Sequence, residues 1–133
     1  MNKFPPTMSL SEELRRDLNH LINTTEGLQA ILITDRDGIP IIKATTDRPP
    51  ELSLKPNFLL STGIACEQAS KLGSGRCKTI TCLYDTFQII HFNHQPIMIT
   101  LIASEEANTG FLLSLESQFD PILSPLKKIV HVK

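Results

Sequence analysis

The sequence has no Trp, one Tyr and three Cys, and neither sign of charge is in excess. Its 13 basic and 14 acidic side chains give a formal charge of −1. This balance argues against nucleic-acid binding, because nucleic-acid-binding proteins neutralise phosphates with a basic surface. The shortage of aromatic side chains argues equally against a platform on which single-stranded bases stack. No run approaches the roughly 18 consecutive apolar residues of a transmembrane helix, so we expect no direct membrane insertion.

What the sequence does contain is typical of one small domain. With 133 residues, 41% of them hydrophobic, the chain is long enough to bury a core and too apolar to remain disordered. We expect residues 1–8 to form a flexible extension and residues 9–133 to form a single domain. The N-terminal segment lacks the apolar run of a signal peptide, and the cysteines are odd in number. We therefore expect free thiols in a reducing compartment.

Hydrophobic residues recur at helical spacing in three stretches of the chain. The first follows a capping box in which Ser9 is the N-cap and Glu12 reaches back to it. The second begins at Pro56, a residue type that suits the first helical turn. In the third, Asp120 and Ser124 each precede a proline and are suited to restart a helix, so we expect one kinked helix or two short ones. The predicted ranges are Ser9 to about Asn23, Pro56 to about Leu72, and Phe111 to Val130.

Five short apolar runs predict β-strands. The first two flank a turn at Asp35–Gly38, and the last three are joined by connections of hairpin length. The first and fifth runs are apolar on both faces, which predicts central positions covered by helices on each side. The third run alternates with threonine and has polar flanks, as an edge strand does. The five runs are Leu28–Thr34, Ile39–Ala44, Lys78–Tyr84, Phe87–Asn93 and Pro96–Ala103.

The order α-β-β-α-β-β-β-α predicts an α+β domain with a five-stranded sheet. Its middle helix is unusual because apolar residues point in three directions. Phe58 and Leu72 share one direction, Leu60 and Ile64 a second, and a stripe of small residues that includes Gly63 lies between them. One face of a sheet cannot cover all three directions. Either another part of this chain or a second protein must cover the rest.

Two loops resemble ligand-binding motifs, and each has a simpler explanation. Gly73–Thr79 superficially resembles a phosphate-binding loop, but Cys77 replaces a required glycine, and the helix precedes the loop instead of following it. We expect a helix stop and a turn there. Asp35–Gly38 resembles the start of a calcium loop but lacks the later oxygen ligands, so we expect a hairpin turn.

The histidines and cysteines also fail to make a site. His91 and His94 are spaced so that they point to opposite faces of a strand, and no third ligand lies near them in the sequence. Cys66, Cys77 and Cys82 lack the spacing of a zinc site. A Cys–His nucleophilic pair stays open on sequence alone, although nothing supplies an oxyanion motif. We expect no catalytic, metal-binding or cofactor-binding residues.

Several segments, taken in order, resemble a roadblock domain. Together they span most of the chain, from about Leu10 to Val132, and the combination resembles the roadblock subunits of the Ragulator (LAMTOR) complex, the MEK-partner scaffold of MAP-kinase signalling. The resemblance implies a roadblock/dynein-light-chain-like fold, with a five-stranded antiparallel sheet that carries two helices on one face and one on the other. The matching segments are Glu26–Ile31, Thr34–Lys43, Ala69–Gly73, Lys78–Asn93 and Ala107–Gly110.

The resemblance also implies a non-enzymatic adaptor that uses no cofactor. Its expected partners are a sister roadblock subunit, with which it forms a heterodimer, a lipidated Ragulator anchor subunit, the kinases MEK and ERK, and Rag GTPases. Its expected location is the cytoplasmic face of late endosomes or lysosomes, where the complex supports MEK–ERK and TOR signalling. A homodimeric regulator of a small GTPase or of a dynein motor stays as the alternative.

Roadblock pairing through the third strand and the middle helix, as the resemblance implies, identifies a partner-binding surface. The exposed backbone of Thr79 and Thr81 would pair with a strand of the partner. Leu60 and Ile64 would pack against the partner's helix, and charged residues at the rim would supply specificity. The predicted partner-binding residues are Leu60, Gly63, Ile64, Glu67, Lys71, Thr79, Ile80, Thr81 and Cys82.

Overall fold

The computed structural model describes residues 10–46 and 56–131. Every predicted helix and strand is present, with boundaries that differ from the prediction by at most two residues. The predicted extension, the N-cap at Ser9 and most of the loop before the second helix lie outside the described residues. In chain order the elements are α1 Leu10–Thr24, β1 Leu28–Thr34, β2 Pro40–Thr45, α2 Pro56–Ser70, β3 Thr79–Leu83, β4 Phe87–His94, β5 Ile97–Ser104, α3 Thr109–Ser114, a 3₁₀ segment Leu115–Phe119 and α4 Asp120–His131.

The strands form one antiparallel sheet in the order β2-β1-β5-β4-β3. β1 and β5 both have a strand on each side, as predicted from their continuous apolar character. β3 pairs with β4 alone among the described strands, so it is an edge strand, also as predicted. The sheet therefore ends on a strand whose outer backbone groups have no partner strand in the described chain.

Helices cover both faces of the sheet. One face carries α1 and α4, whose buried side chains merge with those of every strand but β3 into the larger hydrophobic cluster. The other face carries α2, where Leu59 packs into a smaller cluster with residues of β1, β4 and β5. This division of two helices against one is the arrangement that the resemblance implied. The smaller cluster comprises Ala30, Leu32, Leu59, Phe87, Ile89 and Ile102, with Cys82 packed against it.

The β1–β2 turn is held by the side chain of Asp35. Its Oδ1 accepts hydrogen bonds from the backbone N–H groups of Asp37, at 2.8 Å, and Ile39, at 3.1 Å. Gly38 has a positive φ of 81°, a conformation that L side chains rarely adopt. The segment joins two antiparallel strands and is therefore a hairpin turn, as predicted.

The C-terminal helical region differs from the prediction at its second proline. Asp120 begins α4 after the 3₁₀ segment, as expected of a helix restart. The predicted second restart at Ser124 is wrong, because Pro125 lies inside α4 and the helix continues past it. Ile122, Leu123 and Leu126 are all buried in the core around this position. Packing of this apolar face against the sheet outweighs the cost of a proline in the helix.

His91 is buried in the middle of the sheet, on the face that carries α2. Its Nδ1 lies 3.0 Å from Oγ1 of Thr100, and its Nε2 has no hydrogen-bond partner among the described residues. Burial lowers the pKa of His91 from 6.5 to about 4, because the charged imidazolium is deprived of hydration in this site. His94 points to the opposite face, as predicted, where its Nε2 lies 2.8 Å from Oε2 of Glu116.

We predict that His91 makes folding stability dependent on pH. Because its pKa is lower in the folded state, the unfolded chain binds an extra proton between pH 6.5 and about 4. Stability should therefore fall as pH drops through this window, by about 3 kcal/mol for this residue. Urea unfolding from pH 7 to pH 4 should show a flatter dependence for His91→Leu. The exposed His20 supplies the control, and an equal flattening in His20→Gln would contradict the assignment.

Candidate partner-binding surface

The outer edge of β3 presents alternate backbone groups to the outside. The N–H of Tyr84 donates to the carbonyl of Phe87 at 2.9 Å, and that of Asn93 donates to the carbonyl of Lys78 at 2.8 Å. In an antiparallel ladder these bonds recur at every second residue. The even-numbered residues of β3 therefore bond to β4, and the odd-numbered residues direct their N–H and C=O groups outward. The outward-facing residues of β3 are Thr79, Thr81 and Leu83.

The side chains of β3 divide between its two faces. Ile80 and Cys82 are half-buried on the face that carries α2, where Cys82 packs against the smaller cluster. On the other face Thr81 is exposed, and Leu83 is 71% exposed. Tyr84 follows the strand and stacks its ring on that of Phe87 with a centroid separation of 4.8 Å. The end of this edge strand is therefore unusually apolar for a protein surface.

Helix α2 meets the sheet through a narrow stripe. Leu59, Thr62 and Cys66 are its buried residues among those whose side chains are described. Ile64 lies on the outward side and is 48% exposed, while Leu72, just past the helix, is 80% exposed. The sheet thus covers only one of the three apolar directions, as predicted.

Part of the second direction is covered by the chain itself. Gly38 of the β1–β2 turn approaches Leu60 so closely that an added Cβ would lie 3.3 Å from the Leu60 backbone nitrogen. Leu60 is half-buried as a result, whereas Gly63 leaves open space, with Arg36 O as its nearest neighbour at 4.0 Å from an ideal Cβ. Of the predicted helix contacts, Ile64 is therefore the one that points away from the rest of the described chain.

A hydrogen-bonded loop connects α2 to β3. Oγ of Ser70 donates to the carbonyl of Cys66 at 3.0 Å and accepts from the backbone N–H of Cys77 at 2.8 Å. The carbonyl of Cys77 in turn accepts from Nδ2 of Asn93 at 2.9 Å. These bonds hold the end of α2 next to the start of β3. Ser70 and Asn93 are positioning residues that the sequence does not predict, because nothing in a linear pattern pairs residues that far apart.

The thiol of Cys66 is buried and protonated. Its Sγ donates to the carbonyl of Cys77 at 3.4 Å. Burial, with a further contribution from the neighbouring Cys77, raises the pKa of Cys66 to about 11. A nucleophilic cysteine needs a lowered pKa, so Cys66 is unsuited to that role. Within residues 10–46 and 56–131, no three His, Cys, Asp or Glu side chains are grouped closely enough to hold a metal ion.

The predicted surface is thus partly brought together. Thr79 and Thr81 share the outer edge of β3, and Ile64 lies on the outer side of α2. The side chains of Ile80 and Cys82 are half-buried on the face that carries α2, where Cys82 packs against the smaller cluster. Four predicted residues remain: Leu60 packs against Gly38 of the β1–β2 turn, and Gly63, Glu67 and Lys71 line a cavity beside α2. Leu72, Leu83 and Tyr84 are exposed apolar residues that the residue-level prediction did not include.

Comparison with known proteins identifies close relatives over nearly the whole chain. The family model described as "Mitogen-activated protein kinase kinase 1 interacting" matches residues 12–130. The Ragulator complex protein LAMTOR3 of Pagrus major is 43% identical over 123 residues, which is 92% of this chain and 99% of the relative. The LAMTOR3 of Homo sapiens is 42% identical, with the same shares of both chains covered.

Comparison with solved structures identifies the fold. Myxococcus xanthus MglB matches with a TM-score of 0.70 at 10% identity, over 96% of this chain and 95% of that chain. The Roadblock/LC7 domain of Streptomyces avermitilis matches with a TM-score of 0.62 at 13% identity, over 80% and 93%. These likenesses confirm the predicted roadblock fold and, at such identities, show the fold alone. In the described ranges, no helix combines the length and apolar character needed to cross a bilayer.

We predict that Ser70 stabilises the junction between α2 and β3. Ser70→Ala removes the acceptor for the Cys77 N–H in a partly buried position, which should lower the free energy of unfolding by about 1–2 kcal/mol. Ser74 is an exposed serine of the same loop, so Ser74→Ala is the matched control. Chemical denaturation measures both variants, and equal stability of the two would contradict the role of Ser70.

Proposed function

Because the chain belongs to the MAP kinase kinase 1-interacting family of Ragulator roadblock subunits, we propose that it is a non-enzymatic scaffold that heterodimerises with a sister roadblock subunit. One observation carries the proposal: an edge of β3 that pairs with no described strand and an outer side of α2 that no described residue covers belong to adjacent elements joined by the Ser70 loop. Both features are costly when left in water and become favourable when a second protein covers them.

Pairing would begin with the backbone. A partner strand laid against β3 would receive the outward N–H and C=O groups of Thr79, Thr81 and Leu83, and the sheet would continue into the second protein. Backbone hydrogen bonds define register and direction without demanding particular side chains. Specificity must then come from the neighbouring side chains.

Apolar side chains beside this edge would supply most of the affinity. Ile64, Leu72 and Leu83 each expose about half or more of their surface, and full burial of such a side chain contributes about 1.5–3 kcal/mol. Leu60 and Gly63 would form the margin of the helix contact next to the β1–β2 turn. The opposite charges of Glu67 and Lys71 would stand at the rim, where charges select between partners more than they add affinity. Ile80 and Cys82 would act from beneath, by holding α2 in place.

The family supports a finer biological assignment. The relatives are named as Ragulator complex proteins, and the family description names an interaction with MAP kinase kinase 1. We therefore propose that the heterodimer is held by a lipidated anchor subunit at late endosomes or lysosomes, contacts the MEK and ERK kinases there, and helps to dock Rag GTPases for TOR signalling. A stable homodimer of the isolated chain in gel filtration would instead favour the alternative, a homodimeric regulator of a small GTPase or of a dynein motor.

We predict that Ile64→Asp abolishes co-purification of a sister roadblock subunit from native lysate. A carboxylate at this outward position would lie in the apolar contact without a partner. The chain without its partner tolerates the carboxylate, because Ile64 is exposed there. Far-UV circular dichroism should stay near that of the wild type. Leu113→Asp on α3 is the matched control, since Leu113 is also an exposed apolar residue but lies away from α2 and β3. Retained pairing in Ile64→Asp would remove this helix from the interface.

We also predict that Thr81→Pro blocks pairing without unfolding the chain. The change removes an N–H that points outward, so the β3–β4 ladder keeps its hydrogen bonds, and proline is tolerated on edge strands. Thr45→Pro makes the same substitution on β2, at the other edge of the sheet. Sedimentation of each variant with the partner should show loss of the complex for Thr81→Pro alone. Loss in both variants, or in neither, would contradict pairing through β3.

A further inference from the structure

A cavity of about 330 Å³ opens between α2 and the β4–β5 hairpin. Its floor is apolar, formed by Met98 and Cys66, which are 5% and 2% exposed. Gly63 forms part of one wall, and because it has no side chain the cavity stays open along the helix. The volume is at the lower end of the range found for ligand pockets in proteins, enough for one or two side chains and not for a whole element.

The mouth of this cavity carries more positive than negative charge. Lys71 and Arg76 stand on its rim with Glu67. All three are exposed, and none of them forms an ion pair within the described part of the chain. Glu67 and Lys71 are four residues apart, a spacing that often produces an ion pair, yet they make none here. The two cations are therefore available to an external anion.

We propose that this cavity is a docking site for an acidic peptide segment of a partner protein. An apolar side chain of the segment would enter between Gly63 and Met98, and carboxylates on either side of it would face Lys71 and Arg76. The combination of an apolar floor with an unpaired cationic rim favours this occupant over a basic or a purely apolar one, because a basic segment would meet like charge and an apolar segment would leave the rim unused.

The site is separate from strand pairing. The cavity lies beside the β4–β5 hairpin and the side of α2 next to it, whereas the proposed pairing uses the outward backbone of β3. Gly63, Glu67 and Lys71 also belong to the proposed helix contact with the sister subunit, so the docked peptide and that contact would use overlapping parts of α2. The inference depends on the charge and shape of the cavity and does not depend on the proposed heterodimer.

Selection of random peptides displayed on phage against the full chain tests the proposal. Peptides that still bind Gly63→Leu are discarded first, because the leucine side chain of this variant fills the cavity. The substitution fits the fold, since an added Cβ at this position meets nothing closer than 4.0 Å. The expected consensus is an apolar residue flanked by Asp or Glu. A basic consensus, or no peptide that distinguishes the wild type from Gly63→Leu, would overturn the proposal.

A synthetic peptide of the selected consensus then tests the charge. Its affinity, measured by fluorescence anisotropy, should fall at least about tenfold in Arg76→Glu and should weaken with added salt. Lys43→Glu makes the same change in charge at an exposed position of β2 and should leave the affinity unchanged. Equal losses in the two variants would indicate attraction to overall charge and would contradict a defined site. Thr81→Pro should bind the peptide normally, which separates failure of this proposal from failure of strand pairing.

Discussion

In the described chain, a single helix covers one face of the five-stranded sheet. The exposed surfaces on that side of the molecule result from this incomplete cover. The opposite face has two long helices, α1 and α4, and its core is closed. On the α2 side, only Leu59, Thr62 and Cys66 reach inward from the described part of the helix. No residue of the described ranges covers the outer side of α2 at Ile64, the mouth of the cavity beside it or the outer edge of β3.

The position of α2 depends on a few polar contacts and one close approach. Ser70 bonds its end to the loop that leads into β3, and Gly38 allows the β1–β2 turn to pack against Leu60. Beneath it lies His91, a buried imidazole with one unsatisfied nitrogen. Such a group costs stability, particularly at low pH, yet it specifies one arrangement of the strands through its bond with Thr100.

A protein built in this way needs no chemistry of its own. The buried thiol of Cys66 stays protonated. The relatives that this chain resembles are named as proteins of the Ragulator complex. In the proposed pairing, its functional groups would be backbone amides, exposed apolar side chains and a rim of charge. These would act only when arranged on one surface, so under this proposal the loop between α2 and β3 matters as much as any residue that would touch a partner.

Periodicity in the sequence was sufficient to predict every helix and strand, the central place of β1 and β5, and the edge place of β3. These features depend on local spacing and on which faces are apolar, and both are written in consecutive residues. Only the tertiary structure decided four other features. These are the side of α2 that meets the sheet, the packing of Gly38 against Leu60, the continuation of α4 past Pro125 and the cavity at Gly63. Each of them depends on contacts between residues far apart in the chain, where packing energy outweighs local preference.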